Sequence, residues 1–296
     1  MPMSTDHDAE NTPAEKVDAA SLRRWSLPEP GSSKRSRGDV LVVGGALRSP
    51  GAVELAGLAA LRVGAGRLTL AVGSSVAAAL AVAVPESGVV PLGEVDEHVD
   101  GASVDVLDDD LESAQAVLAG PGLDDPDSAA AIVRHLAEHT GDDTIVVLDA
   151  YALGVLPGAE DAIDALRGRL ILTPNDAETE RLLGRETGDR DEDLTEVAHR
   201  YGAVVSNMGS IVAADGRRWS VQTGGPGLGT SGSGDVLAGA IAGLAARGAT
   251  PAQAAVWGTF LHARSGDRLA ESIAPLGFLA RELLDELPRV LGDTSD

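Results

Sequence analysis

The chain of 296 residues has no cysteine, which excludes disulfides, thiolate nucleophiles and cysteine-ligated metals. Aromatic residues are almost as scarce, with two Phe, two Tyr and three Trp, too few for the stacking platforms that hold single-stranded nucleic acid. Basic residues are outnumbered, since 23 Lys and Arg against 46 Asp and Glu leave a formal charge of −23. Such a surface repels phosphate backbones and anionic lipid headgroups, so neither nucleic acid nor membrane is expected as a partner. No apolar run reaches the roughly 18 residues of a membrane span, and the N-terminus lacks the basic start and apolar stretch of a secretory leader. A cytoplasmic protein is the expectation.

What is present is small and apolar. Hydrophobic residues make up 44% of the chain, enough for a sizeable core built mainly from Ala, Val and Leu. Residues 1–37 are polar, charged and aperiodic, and predict a flexible N-terminal arm. From Val40 onward, short β-branched runs such as "VLVV", "RLTLAV", "TIVVLDA" and "LILTP" alternate with Ala/Leu-rich helical stretches such as "GAVELAGLAALRVG" and "DSAAAIVRHLAEH". Repeated strand–helix units predict one α/β domain over 38–296 with a mostly parallel sheet covered on both faces. The segment "SIVAADGRRWSVQ" reads as a hairpin turning at Asp215-Gly216. Three helices, 235–247, about 251–270 and about 276–291, should close the chain.

The densest signal is "GGPGLGTSGSGD", residues 224–235, directly before a helical run. A helix beginning near Asp235 leaves its first N–H groups free, and Gly232 and Gly234 let a ligand approach that backbone, which suits a phosphate. A carboxylate beside a phosphate is repulsive unless it has a chemical task. Asp235 can take a hydroxyl proton while that oxygen attacks phosphorus; as the simpler alternative, it caps its helix.

The stretch "GPGLGTSGSGDVLAGAIAGLAARG" resembles the glycine-rich loop and following helix of the ribokinase-like superfamily. Within it, "GDVLVVGGALRSPGAVELAGLAALRVGAGRLTLAV" (38–72), "VPES" (84–87), "VLAGPGL" (117–123), "VVLDAYAL" (146–153) and "WGTFLHARSGD" (257–267) are similar to bacterial ADP-dependent NAD(P)H-hydrate dehydratases. The resemblance implies a three-layer α/β/α ribokinase-like fold and repair of hydrated NADH and NADPH. The ring hydroxyl would be phosphorylated with ADP, or ATP, as co-substrate, and phosphate then eliminated. It assigns Asp235 as base and substrate contact. Ala52, Gly122 and Asn175 fall at the substrate site, and Asn207, Met208, Gly209, Ser210, Ile211, Gly232, Ser233 and Gly234 at the nucleotide site. Glu178 and Asp149 are the candidates for Mg2+, directly or through water; a homotetramer is the implied assembly.

The chain also departs from the family pattern. Asn175, in "TPNDAE", stands where the family has a histidine, and Asn207 and Ile211, in "SNMGSIVA", stand for a lysine and a threonine of the nucleotide site. A lost lysine removes a cation from a phosphate; Arg48, Arg62 and Arg67 are the candidate positive groups in its place, while Lys34, in "SSKRSRGD", is retained from the family's usual His-Lys-Gly. The N-x-x-E of Asn175 and Glu178 is also found in small-molecule kinases of the superfamily. A vitamin-precursor kinase and a binding homologue that has lost catalysis are therefore the alternatives. His262 reads as structural.

Overall fold

The computed structural model describes residues 13–295. Its strands are β1 (Glu15–Val17), β2 (Asp39–Gly44), β3 (Arg67–Gly73), β4 (Ser87–Leu92), β5 (Glu94–Val95), β6 (His98–Val99), β7 (Ala116–Ala119), β8 (Ile145–Leu148), β9 (Leu170–Leu172), β10 (Ala203–Asn207), β11 (Ser210–Ala213) and β12 (Arg218–Val221). Ten form one sheet in the order β1-β12-β11-β10-β9-β8-β7-β2-β3-β4, while β5 and β6 make a separate hairpin. Within the large sheet only β11 runs against the others, through its antiparallel pairs with β10 and β12. The central runs AVLA and IVVL are apolar throughout because helices cover both faces.

Alternate residues of β2 divide the core. Val40 and Val42 join the cluster made with helices Pro50–Arg62, Ser233–Ala246, Pro251–Ser272 and Ala280–Ser295, whereas Leu41 and Val43 join the one made with Pro126–His139, Asp176–Leu183 and Arg190–Tyr201. The result is the expected three-layer α/β/α architecture. The chain runs outward from β2 through β3 to β4, returns as β7 on the other side of β2, and runs outward again. The β2/β7 boundary is therefore the topological switch point, beside which ligands bind at the carboxyl ends of parallel strands.

Small residues set how closely the helices approach. A Cβ on Gly239 would stand 2.0 Å from the Ala56 carbonyl oxygen, and one on Gly243 2.5 Å from that of Ala60. The two glycines, one turn apart, let the helix Ser233–Ala246 lie backbone to backbone on Pro50–Arg62. That contact fixes the start of the helix that carries Asp235.

The expected arm needs correction where it is described. β1 adds in parallel to β12, Leu22 is buried, and Trp25 stacks on Trp219 at 5.6 Å between ring centroids. The Trp25 carbonyl accepts from Trp257 Nε1 at 3.0 Å. Residues 15–25 thus belong to the domain, their few apolar side chains being long enough to reach its core. Residues 1–12 of the arm lie outside the described residues. The three closing helices and the Asp215-Gly216 hairpin stand as expected. The helix Arg190–Tyr201 was not anticipated, although Leu194, Val197, Ala198 and Tyr201 form its buried stripe.

Candidate functional site

The loops that follow β2, β7, β8, β9 and β10 gather at one edge of the sheet with the start of the helix Ser233–Ala246. Loops after β2 and β7 interlock across the switch point. Gly45 N–H donates to the Pro121 carbonyl and Ala46 N–H to that of Gly122, both at 2.9 Å. Gly122 has φ 71°, and a Cβ there would stand 2.3 Å from the Ser49 carbonyl oxygen. Its missing side chain therefore serves loop closure. Ala52 is half-buried in the first turn of the helix Pro50–Arg62 on the same edge.

The glycine loop meets the expected geometry with one refinement. Gly232, at φ 88°, is the N-cap, and no side chain caps the helix. Asp235 is thus not a helix cap, and its carboxylate remains available. A Cβ on Gly232 would strike Leu55 Cδ1 at 2.5 Å, whereas one on Gly234 would meet nothing within 4 Å. The open face in front of the helix N-terminus lies at Gly234, where backbone N–H groups can receive an anion. Ser233 points the other way: its hydroxyl is 2.9 Å from His262 Nε2, and burial pulls that imidazole down to about 4. His262 is accordingly neutral and positions the loop from below.

Three carboxylates face this edge. Burial raises Asp235 to about 6. Asp149, immediately after β8, is pushed up to about 7, first by burial and then by the charges of Asp235 and Glu178; a 2.8 Å hydrogen bond from Thr173 Oγ1 opposes the rise. No ion pair with Asp149, Glu178 or Asp235 occurs among the described residues. Ala150, next to Asp149, has φ 50°, an uncommon conformation for a residue with a Cβ. Glu178 and Asn175 form a reciprocal capping box, with Asn175 N–H donating to Glu178 Oε2 at 2.8 Å and Glu178 N–H donating to Asn175 Oδ1 at 2.9 Å. One carboxylate oxygen of Glu178 is committed there. Beside it, a cavity of about 390 Å³ is lined by Ala150, Tyr151, Glu178 and Arg181.

The nucleotide-site residues after β10 divide between turn and core. Met208 (φ 45°) and Gly209 (φ 90°) form the two-residue turn joining β10 to β11, the paired positive φ angles of a type I′ hairpin. A Cβ on Gly209 would stand 2.5 Å from the Val221 carbonyl oxygen. Met208 is exposed and Ser210 half-buried. The side chain of Ile211 is fully buried in the core, so the expectation that it reaches a nucleotide is corrected: an apolar residue at this inward position packs under the sheet. Asn207 is buried too. Its Nδ2 donates to the Pro174 carbonyl at 2.9 Å and Asp176 Oδ1 at 3.2 Å, tying β10 to the start of the helix Asp176–Leu183, while its Oδ1 has no partner. A buried lone acceptor is costly, on the order of 1–3 kcal/mol.

Of the cations weighed, Arg48 lies exposed in the loop after β2, on the site edge. Lys34 precedes β2, and its carbonyl packs against Gly66 at the opposite edge. Arg62 and Arg67 pair with Asp285 and Asp39 at that far edge. A cation not anticipated is Arg190. Its Nη2 lies 3.6 Å from both Asp176 Oδ1 and Met208 Sδ, and with Asn207 it lines a cavity of about 150 Å³. It occupies the first position of its helix, where the dipole disfavours a cation. That breach of a local rule was the readable signal.

With this geometry in place, comparison with known proteins gives a consistent result. The model of the NAD(P)H-hydrate dehydratase family matches residues 40–289. An ADP-dependent (S)-NAD(P)H-hydrate dehydratase of Xanthomonas campestris pv. campestris is 42% identical over 283 residues, 93% of this chain and 95% of that protein. A bifunctional NAD(P)H-hydrate repair enzyme of Moorella thermoacetica is 37% identical over 90% of this chain, which spans 52% of that longer protein. The crystal structure of a Bacillus subtilis ADP/ATP-dependent NAD(P)H-hydrate dehydratase, co-crystallised with ATP and Mg2+, matches with a TM-score of 0.79 at 27% identity, over 95% of this chain and 99% of the other.

Proposed function

The chain belongs to the NAD(P)H-hydrate dehydratase family and has its ribokinase-like fold, and on that premise we propose that it dehydrates the (S)-hydrates of NADH and NADPH with a nucleotide as phosphoryl donor. The observation that carries the reading is Asp235, a partly buried carboxylate without an ion-pair partner, in the first turn of an uncapped helix whose approach is open at Gly234.

In this mechanism the ring hydroxyl of the hydrate lies against Asp235, which accepts its proton as the oxygen attacks the terminal phosphorus. The helix N-terminus at Gly232–Gly234 stabilises negative charge on the phosphoryl oxygens. With ADP as donor, AMP leaves. Phosphate then departs from the ring carbon, a proton is lost from the neighbouring carbon, and the double bond returns. Phosphate is a far better leaving group than hydroxide, which is what the nucleotide supplies. Ala52 and the Gly122 loop line the dinucleotide, and the Met208–Ser210 turn holds the nucleotide by its backbone.

A divalent cation fits the donor set. Asp149 and Glu178 offer hard oxygen ligands, and the upward pull that Glu178 and Asp235 exert on Asp149 marks a concentration of negative charge that no ion pair relieves among the described residues. Asp149 and the uncommitted oxygen of Glu178 are the residues that would hold Mg2+, directly or through water. Bound there, the ion would neutralise charge on the donor phosphates. Arg190, which lines the same cavity as Asn207 at the position of the missing lysine, is the proposed phosphate contact in its place; Arg48 is the candidate for the dinucleotide's phosphates. Assembly as a homotetramer belongs to the same proposal.

The test is recovery of reduced-nicotinamide absorbance from hydrated NADH with Mg2+ and either ADP or ATP. Recovery that needs one nucleotide supports the reading and identifies the donor. Release of a stable phosphorylated alcohol, without that absorbance, would indicate a kinase instead. Binding of the dinucleotide with neither product would indicate a homologue without turnover.

A further inference from the structure

A second polar cluster lies away from the catalytic edge. The helix Pro126–His139 leads into the start of β8, so its last turn sits at the opposite end of the sheet from Asp149 and Asp235. That turn carries His135 and His139, one helical turn apart, with rings stacked 3.9 Å between centroids and inclined by 13°. His139 Nδ1 is 3.0 Å from the His135 carbonyl oxygen. A carbonyl only accepts, so Nδ1 carries the hydrogen and the lone pair of His139 is left on Nε2. His135 Nε2 lies 2.7 Å from Asp108 Oδ1, at the start of the neighbouring helix Asp108–Ser113. One ligand atom from each of the three residues lies within 4.8 Å of the others, and no other such group occurs among the described residues.

From this arrangement we propose that Asp108, His135 and His139 form a binding site for a borderline-soft divalent transition metal of the Zn2+ class. Two imidazoles and one carboxylate suit Zn2+ rather than Mg2+ or Ca2+, which prefer oxygen ligands. In a tetrahedral site with bonds near 2.05 Å the ligand atoms stand about 3.3 Å apart, so the three atoms, now within 4.8 Å of one another, must draw together and the two rings must turn out of their parallel stack. The metal replaces the proton that now bridges His135 Nε2 and Asp108 Oδ1. The bond from His139 Nδ1–H to a backbone carbonyl is the outer-shell contact that usually orients a metal-bound imidazole. The negative end of the helix dipole and the net charge of −23 both favour a cation here. Water completes the coordination. Because the site is far from Asp235, the metal clamps two helices and takes no part in the reaction.

Calorimetric titration of the full chain with ZnCl2 in chelator-free buffer tests this. The expected result is one Zn2+ per chain in the micromolar range or tighter, weakened at least tenfold in His139→Gln and in Asp108→Asn. Saturating Zn2+ should raise the midpoint of thermal unfolding of the parent protein and leave that of a His135→Ala/His139→Ala double variant unmoved. Circular dichroism of each variant confirms folding, and the two single surface changes keep the test valid where the double variant fails to fold. Absence of uptake at about 100 µM Zn2+, or uptake of equal strength in the variants, overturns the proposal. The latter would place the ion on scattered histidines.

Discussion

Replacing Asp235 by Asn is the most informative single perturbation, because the same burial that fits this carboxylate for proton transfer also costs stability. Asp235 ionises near 6 against an ordinary 3.8 because it is withdrawn from water. The folded protein therefore holds this proton more tightly than the unfolded chain does. Below pH about 4 both states are protonated and the group is neutral to stability; as pH rises from about 4 to 6 the unfolded chain gains ionisation that the fold resists, and above 6 the full penalty is present. A shift of two units is about 3 kcal/mol at 1.36 kcal/mol per unit, and residual solvent access reduces it to about 1–2 kcal/mol. Asn keeps the shape and removes the charge. Thermal unfolding at pH about 8 should show the variant more stable by about 2–3 °C, a gap that closes as pH falls toward 4. Turnover should fall by about 10²–10⁴ with nucleotide affinity nearly unchanged. In the parent protein kcat/KM should rise with pH across the interval where Asp235 and Asp149 titrate as a coupled pair. A variant with normal turnover, or one whose stability gap ignores pH, would refute the assignment.

Gly239→Ala places a methyl group 2.0 Å from the Ala56 carbonyl oxygen, so the two helices must separate; denaturant titration should show a loss of at least about 1–3 kcal/mol, with reduced turnover because Asp235 moves with its helix. Arg190→Ala should raise the KM for the nucleotide about tenfold with a smaller change in kcat, and Arg190→Lys should recover part of it; equal kinetics in all three would remove Arg190 from the phosphate site. Leu22→Ala, in a segment that reads as a free arm, should cost about 2–4 kcal/mol in urea unfolding, since Leu22 is 1% exposed.

Elements whose periodicity and turn chemistry agree were legible in the sequence. The runs "VLVV" and "IVVL" are apolar at every position because both faces are covered, and the glycine loop announces its helix by its own composition. What escaped falls where one level of structure overrides another. β1 is three residues long and gains its stability from the edge of β12 and the Trp25–Trp219 stack, neither of which a local pattern contains. The helix Arg190–Tyr201 hides four buried apolar residues among charges. Ile211 and Asn207 occupy positions that the family pattern assigns to a nucleotide, but side-chain direction in β10 and β11 turns one into the core and the other toward Pro174 and Asp176.

The substitution at 207 then acquires a physical consequence. A lysine there would extend from β10 to place a charge on a phosphate; Asn207 instead spends its amide on the Pro174 carbonyl and Asp176, and leaves Oδ1 buried and unpartnered beside the cavity that Arg190 shares. The local structure gives up a satisfied acceptor and sets Arg190 against its own helix dipole, two departures that packing alone does not reward. The second is explained by an anion entering from the solvent side, since the guanidinium that the helix disfavours is the cation such an anion requires; the Oδ1 of Asn207 is an acceptor and calls for a donor instead. The three carboxylates of Asp149, Glu178 and Asp235 make the demand stronger: two phosphate-bearing substrates approaching them meet like charge on one side and, at the β10 turn, Arg190 on the other. Donor affinity should therefore depend on Arg190 and on divalent cation together, and removing either should weaken the response to the other in a two-way titration. Independent effects would mean that the charge of Arg190 and the acidic cluster do not act on the same phosphates.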